Sequence, residues 1–384
     1  PRGALLGFPA VWVLGEWLRG WLLTGFPWLY LGYAPIDTAL AGLAPVTGVL
    51  GMSLALAITG AAPFALARRQ RWARVGAAVA LVAAPWGAAG WLHQRAWTTP
   101  IPPGLEVALV QPAQSLNMKW DVTALPAILT NFVATNRRHG DVDLLLWPET
   151  AIPRFRQQMA PLLEREHDWA RAENLGLLLG IPLAAGEDGP YYNGLIGLGT
   201  AAGSYGKRRL VPFGEYVPLE AALRGLIAFF DLPMSSFSRA PEQQPLLTLD
   251  GLRIASAICY EIVYPDLVAT SATAANLLVT VSNDTWFGAS TGPPQHFQMA
   301  RLRAIENGKP LLRATNDGIT AVIDADGRIA TQLPQFEAGV LQASILPRAG
   351  ATPFSRHGSL PVVLGCAALL ALALVPRRRR RSRG

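Results

Sequence analysis

Two arginine clusters constrain this chain more than anything else in it, because each closes off an apolar stretch long enough to enter a lipid bilayer. Arg68, Arg69, Arg71 and Arg74 separate the apolar runs 39–67 and 75–92, and Arg377, Arg378, Arg379, Arg380, Arg381 and Arg383 follow the run 359–375. A spanning helix needs about 20 apolar residues, and the cytoplasmic ends of such helices collect Lys and Arg. A fourth apolar stretch opens the chain at roughly 3–18. The chain begins at Pro1, inside apolar sequence and without an initiator Met, so it reads as the later part of a longer protein.

The clusters also set a direction. With the loop at 68–74 and the tail on the cytoplasmic side, the linker 20–38 and everything from about 98 to 357 fall on the outer face. The expected organisation is transmembrane helices over 1–97, an extracytoplasmic domain over 98–357, a last transmembrane helix over 358–376 and a cytoplasmic basic tail over 377–384. Composition agrees with lipid contact. Charged residues make up 15% of the chain and apolar ones 51%, whereas soluble domains carry about 25% charged residues. The ten arginines of the two clusters exceed the whole net charge of +7 and have no acid among them. The charge therefore marks topology rather than a nucleic-acid surface. Only two cysteines are present, Cys259 and Cys366, so there is no disulfide framework. Neither has a Cys or His at metal-ligand spacing, and no metal or cofactor is expected.

From Leu105 the texture changes. LEVALVQ (105–111), DLLLWPE (143–149), GLLLGIP (176–182), RIASAICYE (253–261), NLLVTVSND (276–284) and PLLRATN (310–316) read as buried strands. Helix-length stretches lie between several of them, at 121–139, 156–174 and 293–308. The alternation predicts one layered α/β domain, with chemistry at the C-terminal ends of strands. Three reactive residues fall at or just beyond such ends: Glu149, Lys207 and Cys259. A thiolate nucleophile needs a base or a nearby cation; a carboxylate can take its proton, and an ammonium can stabilise an oxyanion. Taken singly each has a plainer explanation, since a cysteine in a core strand usually packs and a loop Lys or Glu is usually solvated. Separation in sequence does not by itself bring the three together.

Several longer motifs add a resemblance. WPET (147–150), GKRRLVPFGEYVP (206–218), ICYE (258–261) and SNDTWFG (282–288) resemble the nitrilase superfamily, whose members share an αββα sandwich and a Glu–Lys–Cys triad. LTGFPWLYLGY (23–33), QSLNMKW (114–120), FFDLPMSSFSR (229–239) and GPPQHFQMARLRAIENGKPLLRATNDGITAV (292–322) resemble its membrane-embedded branch, the apolipoprotein N-acyltransferases. The resemblance implies a nitrilase-like αββα domain inserted between transmembrane helices. It implies Glu149 as base, Lys207 as oxyanion stabiliser, Cys259 as nucleophile and Glu215 as a supporting carboxylate. Trp120, Tyr260 and Glu261 match further positions that would shape the pocket or handle substrate, and His296 is expected to make a structural hydrogen bond. The implied reaction is ping-pong: a phospholipid acylates Cys259, and the N-terminal amine of a diacylated lipoprotein then takes the acyl chain. The implied location is the bacterial inner membrane, with the catalytic domain on the periplasmic side.

Two other readings use the same residues. A membrane-tethered amidase would use water as acceptor, but would not require the apolar segments LTGFPWLYLGY and 222–237. A non-catalytic scaffold would have no reason to keep a thiol, a base and a lysine together. The run 222–237, ALRGLIAFFDLPMSSF, is expected to form an arm whose apolar face dips into the outer leaflet.

Overall fold

The computed structural model describes residues 3–66, 72–115, 121–186, 189–212, 214–216 and 237–375. Trp120 and nearly all of the 222–237 run lie outside the described residues. The chain divides into two compact units, one formed by Pro1–Ala96 with His357–Gly384 and the other by Trp97–Arg356.

The first unit is helical, with helices at Phe8–Arg19, Ala44–Leu66, Trp72–Leu92 and Leu360–Leu374. Among the described residues two stretches are long and apolar enough to cross a membrane, Ala39–Pro63 and Val75–Leu92; Leu360–Leu374 is shorter. Little of Val75–Leu92 is buried, and Val79 and Trp91 are exposed. The 23–33 segment is pinned by polar contacts. Buried Glu16 accepts from the Leu31 N–H at 2.6 Å, and Arg19 donates to the Trp28 carbonyl at 2.7 Å. Gly32 donates to Ser53 Oγ at 2.8 Å.

The second unit is a two-sheet sandwich. Its strands in chain order are β1 (Thr99–Pro100), β2 (Leu105–Gln111), β3 (Leu144–Leu146), β4 (Gly176–Ala184), β5 (Tyr191–Gly199), β6 (Ala201–Ala202), β7 (Ser204–Gly206), β8 (Leu247–Leu249) and β9 (Leu252–Ile258). They continue with β10 (Leu277–Ser282), β11 (Leu311–Thr315), β12 (Ala321–Ile323), β13 (Ile329–Gln332), β14 (Gly339–Ile345) and β15 (Arg348–Ala349). One sheet has the order β14-β2-β3-β4-β5-β7 and the other β13-β12-β11-β10-β9-β8-β6, with β1 and β15 forming a separate ribbon. Strands β2, β3 and β4 run parallel, as do β9, β10 and β11.

Alternation along the strands builds the layers, since successive side chains point to opposite faces. Val107, Leu109, Leu144, Leu146 and Leu178 meet Ile254, Ile258, Leu277, Val279 and Leu312 between the sheets. Ala108, Val110, Leu145, Leu177 and Leu179 point the other way, onto Phe132 of helix Leu125–Arg138 and Leu162, Leu163 and Ala170 of helix Ala160–Ala172. Helices Pro265–Ala272 and Gly292–Asn307 pack against the other sheet. The layers are αββα. Each fully buried Leu or Val contributes about 1.5–3 kcal/mol, which accounts for the unbroken apolar runs of the central parallel strands.

Two strand boundaries differ from the sequence expectation. DLLLWPE ends as a strand at Leu146, because Pro148 has no N–H for a ladder. RIASAICYE ends at Ile258, and Cys259–Val263 forms a 3-10 turn.

Candidate active site

The parallel strands deliver reactive residues to one end of the sandwich. Glu149 follows β3, Cys259 follows β9, and Asn283 and Asp284 follow β10. Lys207 follows β7. Asn193 stands near the start of β5, opposite Pro182 of β4, which brings it to the same end by running antiparallel.

The Glu149 loop lies directly on β4. Trp147 donates its N–H to the Leu178 carbonyl at 2.8 Å. A Cβ at Gly180 would stand 2.4 Å from the Pro148 carbonyl oxygen, 2.5 Å from the Thr150 nitrogen and 2.8 Å from Glu149 Cα. All three are backbone atoms, so no rotamer change makes room. Gly180→Ala is expected to displace Glu149 and lower turnover about 100-fold or more, the scale at which a 1 Å misplacement is felt. Comparing kcat with the melting temperature of the purified variant checks this; an active variant would remove the close approach as a requirement.

Glu149, Lys207 and Glu215 form a buried charge cluster. Lys207 Nζ lies 2.8 Å from Glu215 Oε2 and 3.6 Å from Glu149 Oε1. One amide group bridges the carboxylates: Asn193 Nδ2 donates to Glu149 Oε1 at 2.6 Å and to Glu215 Oε1 at 3.2 Å. The second oxygen of Glu149 accepts the Asn283 N–H at 2.8 Å, and that of Glu215 accepts the Val211 N–H at 2.9 Å. Burial alone would lower the Lys207 pKa, but the carboxylates of Glu215 and Glu149 more than reverse it and hold the ammonium charged. Removing one member of such a cluster leaves an uncompensated buried charge, at a cost of about 3–5 kcal/mol.

Cys259 is half-buried, and its backbone is left-handed, with φ +52°. That region is unfavourable for a residue with a Cβ, and here it coincides with the end of β9 and the start of the 3-10 turn. Burial, followed by the charge of Glu149, pushes the thiol up to about 12 against the opposing pull of Lys207. The resting group is therefore a thiol.

Glu261, two residues on, is fully buried. It accepts from the N–H groups of Arg208 at 2.7 Å, Arg209 at 3.1 Å and Ile258 at 2.9 Å, and from the Tyr205 hydroxyl at 2.9 Å. It thus fastens the turn that carries Cys259 to the segment that carries Lys207. Tyr260 is buried edge-on against Tyr264, with ring centroids 5.3 Å apart.

His296 makes a structural hydrogen bond, but to a telling atom: its Nε2 lies 3.1 Å from the Cys259 carbonyl oxygen. Asn193, Asp284 and Arg313 carried no individual signal in the sequence, since each gains meaning only from partners distant along the chain. GASTG at 288–292 fits the spacing of a serine-hydrolase elbow. Yet Ser290 is exposed, follows no strand, and accepts from the Gly292 N–H at 3.2 Å. Among the described residues no group of three or more His, Cys, Asp or Glu side chains is placed to hold a metal.

Residues 106–354 match the carbon–nitrogen hydrolase family, and residues 1–62 match the apolipoprotein N-acyltransferase N-terminal domain. The apolipoprotein N-acyltransferase of Azotobacter vinelandii is 47% identical over 389 residues, an alignment covering 100% of this chain and 75% of that protein. The enzyme of the same name from Pseudomonas putida is 46% identical, covering 98% of this chain and 75% of its own length. That from Vibrio parahaemolyticus is 41% identical, covering 98% and 76%.

Proposed function

The chain belongs to the apolipoprotein N-acyltransferase family, acyltransferases with a carbon–nitrogen hydrolase domain, and from that premise we propose that it transfers a phospholipid acyl chain to a lipoprotein amine through a thioester on Cys259. The observation that carries the mechanism is the buried Glu149–Lys207–Glu215 cluster, of which Glu149 and Lys207 act on the ionisation of the Cys259 thiol.

The steps balance as follows. Glu149 takes the thiol proton as Sγ attacks the ester carbonyl of the phospholipid. The Lys207 ammonium steadies the oxyanion. The intermediate collapses with loss of the lysophospholipid alkoxide, which receives the proton from Glu149 and departs as an alcohol. The lipoprotein amine then attacks the thioester; Glu149 accepts a proton from the amine and returns it to the departing thiolate. Glu215 and Asn193 orient Lys207 and Glu149. Glu261 holds the Lys207 and Cys259 segments together. An apolar donor is supported by Trp286 and Phe287, which are exposed on the turn that follows Asn283.

The membrane assignment rests on the apolar stretches Ala39–Pro63 and Val75–Leu92. An apolar helix as exposed as the second would be costly in water and is at home in lipid. We place residues 1–97 and 358–376 in the bacterial inner membrane and residues 98–357 on its periplasmic side, with the 68–74 loop and the 377–384 tail in the cytoplasm.

The direct test incubates membranes containing the protein with phospholipid labelled in one acyl chain. Label is expected on the protein, released by hydroxylamine, and chased onto a diacylated lipopeptide bearing a free N-terminal amine. Release as free fatty acid, with none on the lipopeptide, would make water the acceptor and the protein a hydrolase.

A further inference from the structure

A second buried polar cluster reaches the backbone carbonyl of Cys259, and the mechanism above makes no use of it. Asp284, His296 and Arg313 are all essentially inaccessible to solvent. Arg313 Nη2 donates to Asp284 Oδ2 at 2.6 Å, and Ser282 Oγ donates to Asp284 Oδ1 at 2.6 Å. His296 Nδ1 stands 3.1 Å from Asp284 Oδ1 and 3.2 Å from Arg313 Nη2. The other ring nitrogen, Nε2, is 3.1 Å from the Cys259 carbonyl oxygen.

A carbonyl oxygen only accepts, so Nε2 carries the hydrogen in this contact. The surroundings of Nδ1 suit either protonation state: Asp284 accepts from an N–H there, and Arg313 donates to a lone pair there. The Nε2–H donor consequently survives whether the ring is neutral or charged. The carbonyl it holds belongs to the residue with a left-handed backbone, φ +52°, a conformation that persists only where surrounding structure enforces it. One ion pair, Asp284–Arg313, thus anchors the imidazole that holds the carbonyl of this cysteine.

We infer that His296 is a positioning residue for acyl transfer, holding Cys259 through its backbone carbonyl in the left-handed conformation that presents the thiol, with Asp284 and Arg313 fixing the imidazole. The inference rests on the functional reading above, in which Cys259 is the nucleophile.

His296→Gln and His296→Asn form a matched pair. A Gln amide nitrogen reaches the place of Nε2 and can still donate to the carbonyl, whereas the shorter Asn reaches only the place of Nδ1. Both are made in the full chain carrying Cys366→Ala, and single-turnover acylation by labelled phospholipid is followed together with the donor concentration dependence. The Asn variant is expected to acylate about 100-fold more slowly, with half-saturation by donor unchanged within about twofold. The Gln variant is expected to stay within about tenfold of the parent. A folded Asn variant at the parental rate, a folded Gln variant as slow as Asn, or a loss confined to donor half-saturation overturns the role. If Asn does not fold, Gln decides alone: near-parental rates sustain the inference and a 100-fold loss in the folded protein overturns it. Absence of acylation in the parent sinks the functional reading instead, and is seen before any variant is compared.

Discussion

Replacing Glu149 with Gln is expected to drive two reactivities of Cys259 in opposite directions. Acylation by a lipid donor should fall on the order of 10³–10⁴-fold, because a positioned general base contributes about 10²–10⁴ and the substitution also disturbs its setting. Both Glu149 oxygens accept hydrogen bonds, from Asn193 on one side and the Asn283 N–H on the other, so the amide nitrogen of Gln must face a donor whichever way it turns. Alkylation by iodoacetamide should speed up. The thiol sits near 12 chiefly through burial and next through the charge of Glu149; removing that charge lowers the value. Well below the pKa, each unit of lowering raises the thiolate fraction about tenfold. The measurement is the alkylation rate from pH 7 to 10 in the Cys366→Ala background, beside single-turnover acylation. If both reactions slow together, the Glu149 charge does not hold Cys259 as a resting thiol, and the assignment of Glu149 as its base fails.

Cys259→Ala is expected to remove acyl transfer altogether, by about 10⁶-fold where loss of a nucleophile has this effect, and to leave no label that hydroxylamine releases. Cys366→Ala, in the helix Leu360–Leu374, should leave both intact. Alanine meets the same backbone restriction as cysteine at φ +52°, so the melting temperature should move little. Residual covalent label in Cys259→Ala would assign the thioester elsewhere.

The central strands were legible because buried parallel strands are apolar without interruption. LEVALVQ, GLLLGIP and NLLVTVSND coincide with β2, β4 and β10 to within about two residues. The edge strands were not: β13 is largely exposed, β14 alternates only in part, and neither forms an apolar run. Glu149, Lys207 and Cys259 were identifiable as residues ending strands, but their meeting was invisible to spacing, since it depends on two sheets packing face to face. Asn193 could not be singled out at all. A lone Asn in a Tyr- and Gly-rich strand carries no pattern, and its role comes from two carboxylates 44 and 22 positions away. Gly180 was equally silent, because what requires it is the backbone of a loop from another strand.

The packing of the sandwich has a consequence for how this protein fails. Glu149, Asn193 and Lys207 are carried by one sheet, Cys259 and Asn283 by the other, and the Asn283 N–H reaches across to Glu149. The atoms proposed to react therefore measure the gap between the sheets. Slight parting of the two layers separates base from thiol while nearly every strand keeps its own ladder of hydrogen bonds. Inactivation should then run ahead of the loss of secondary structure, and heat or denaturant would first yield a well-ordered protein with its chemistry divided between two intact halves.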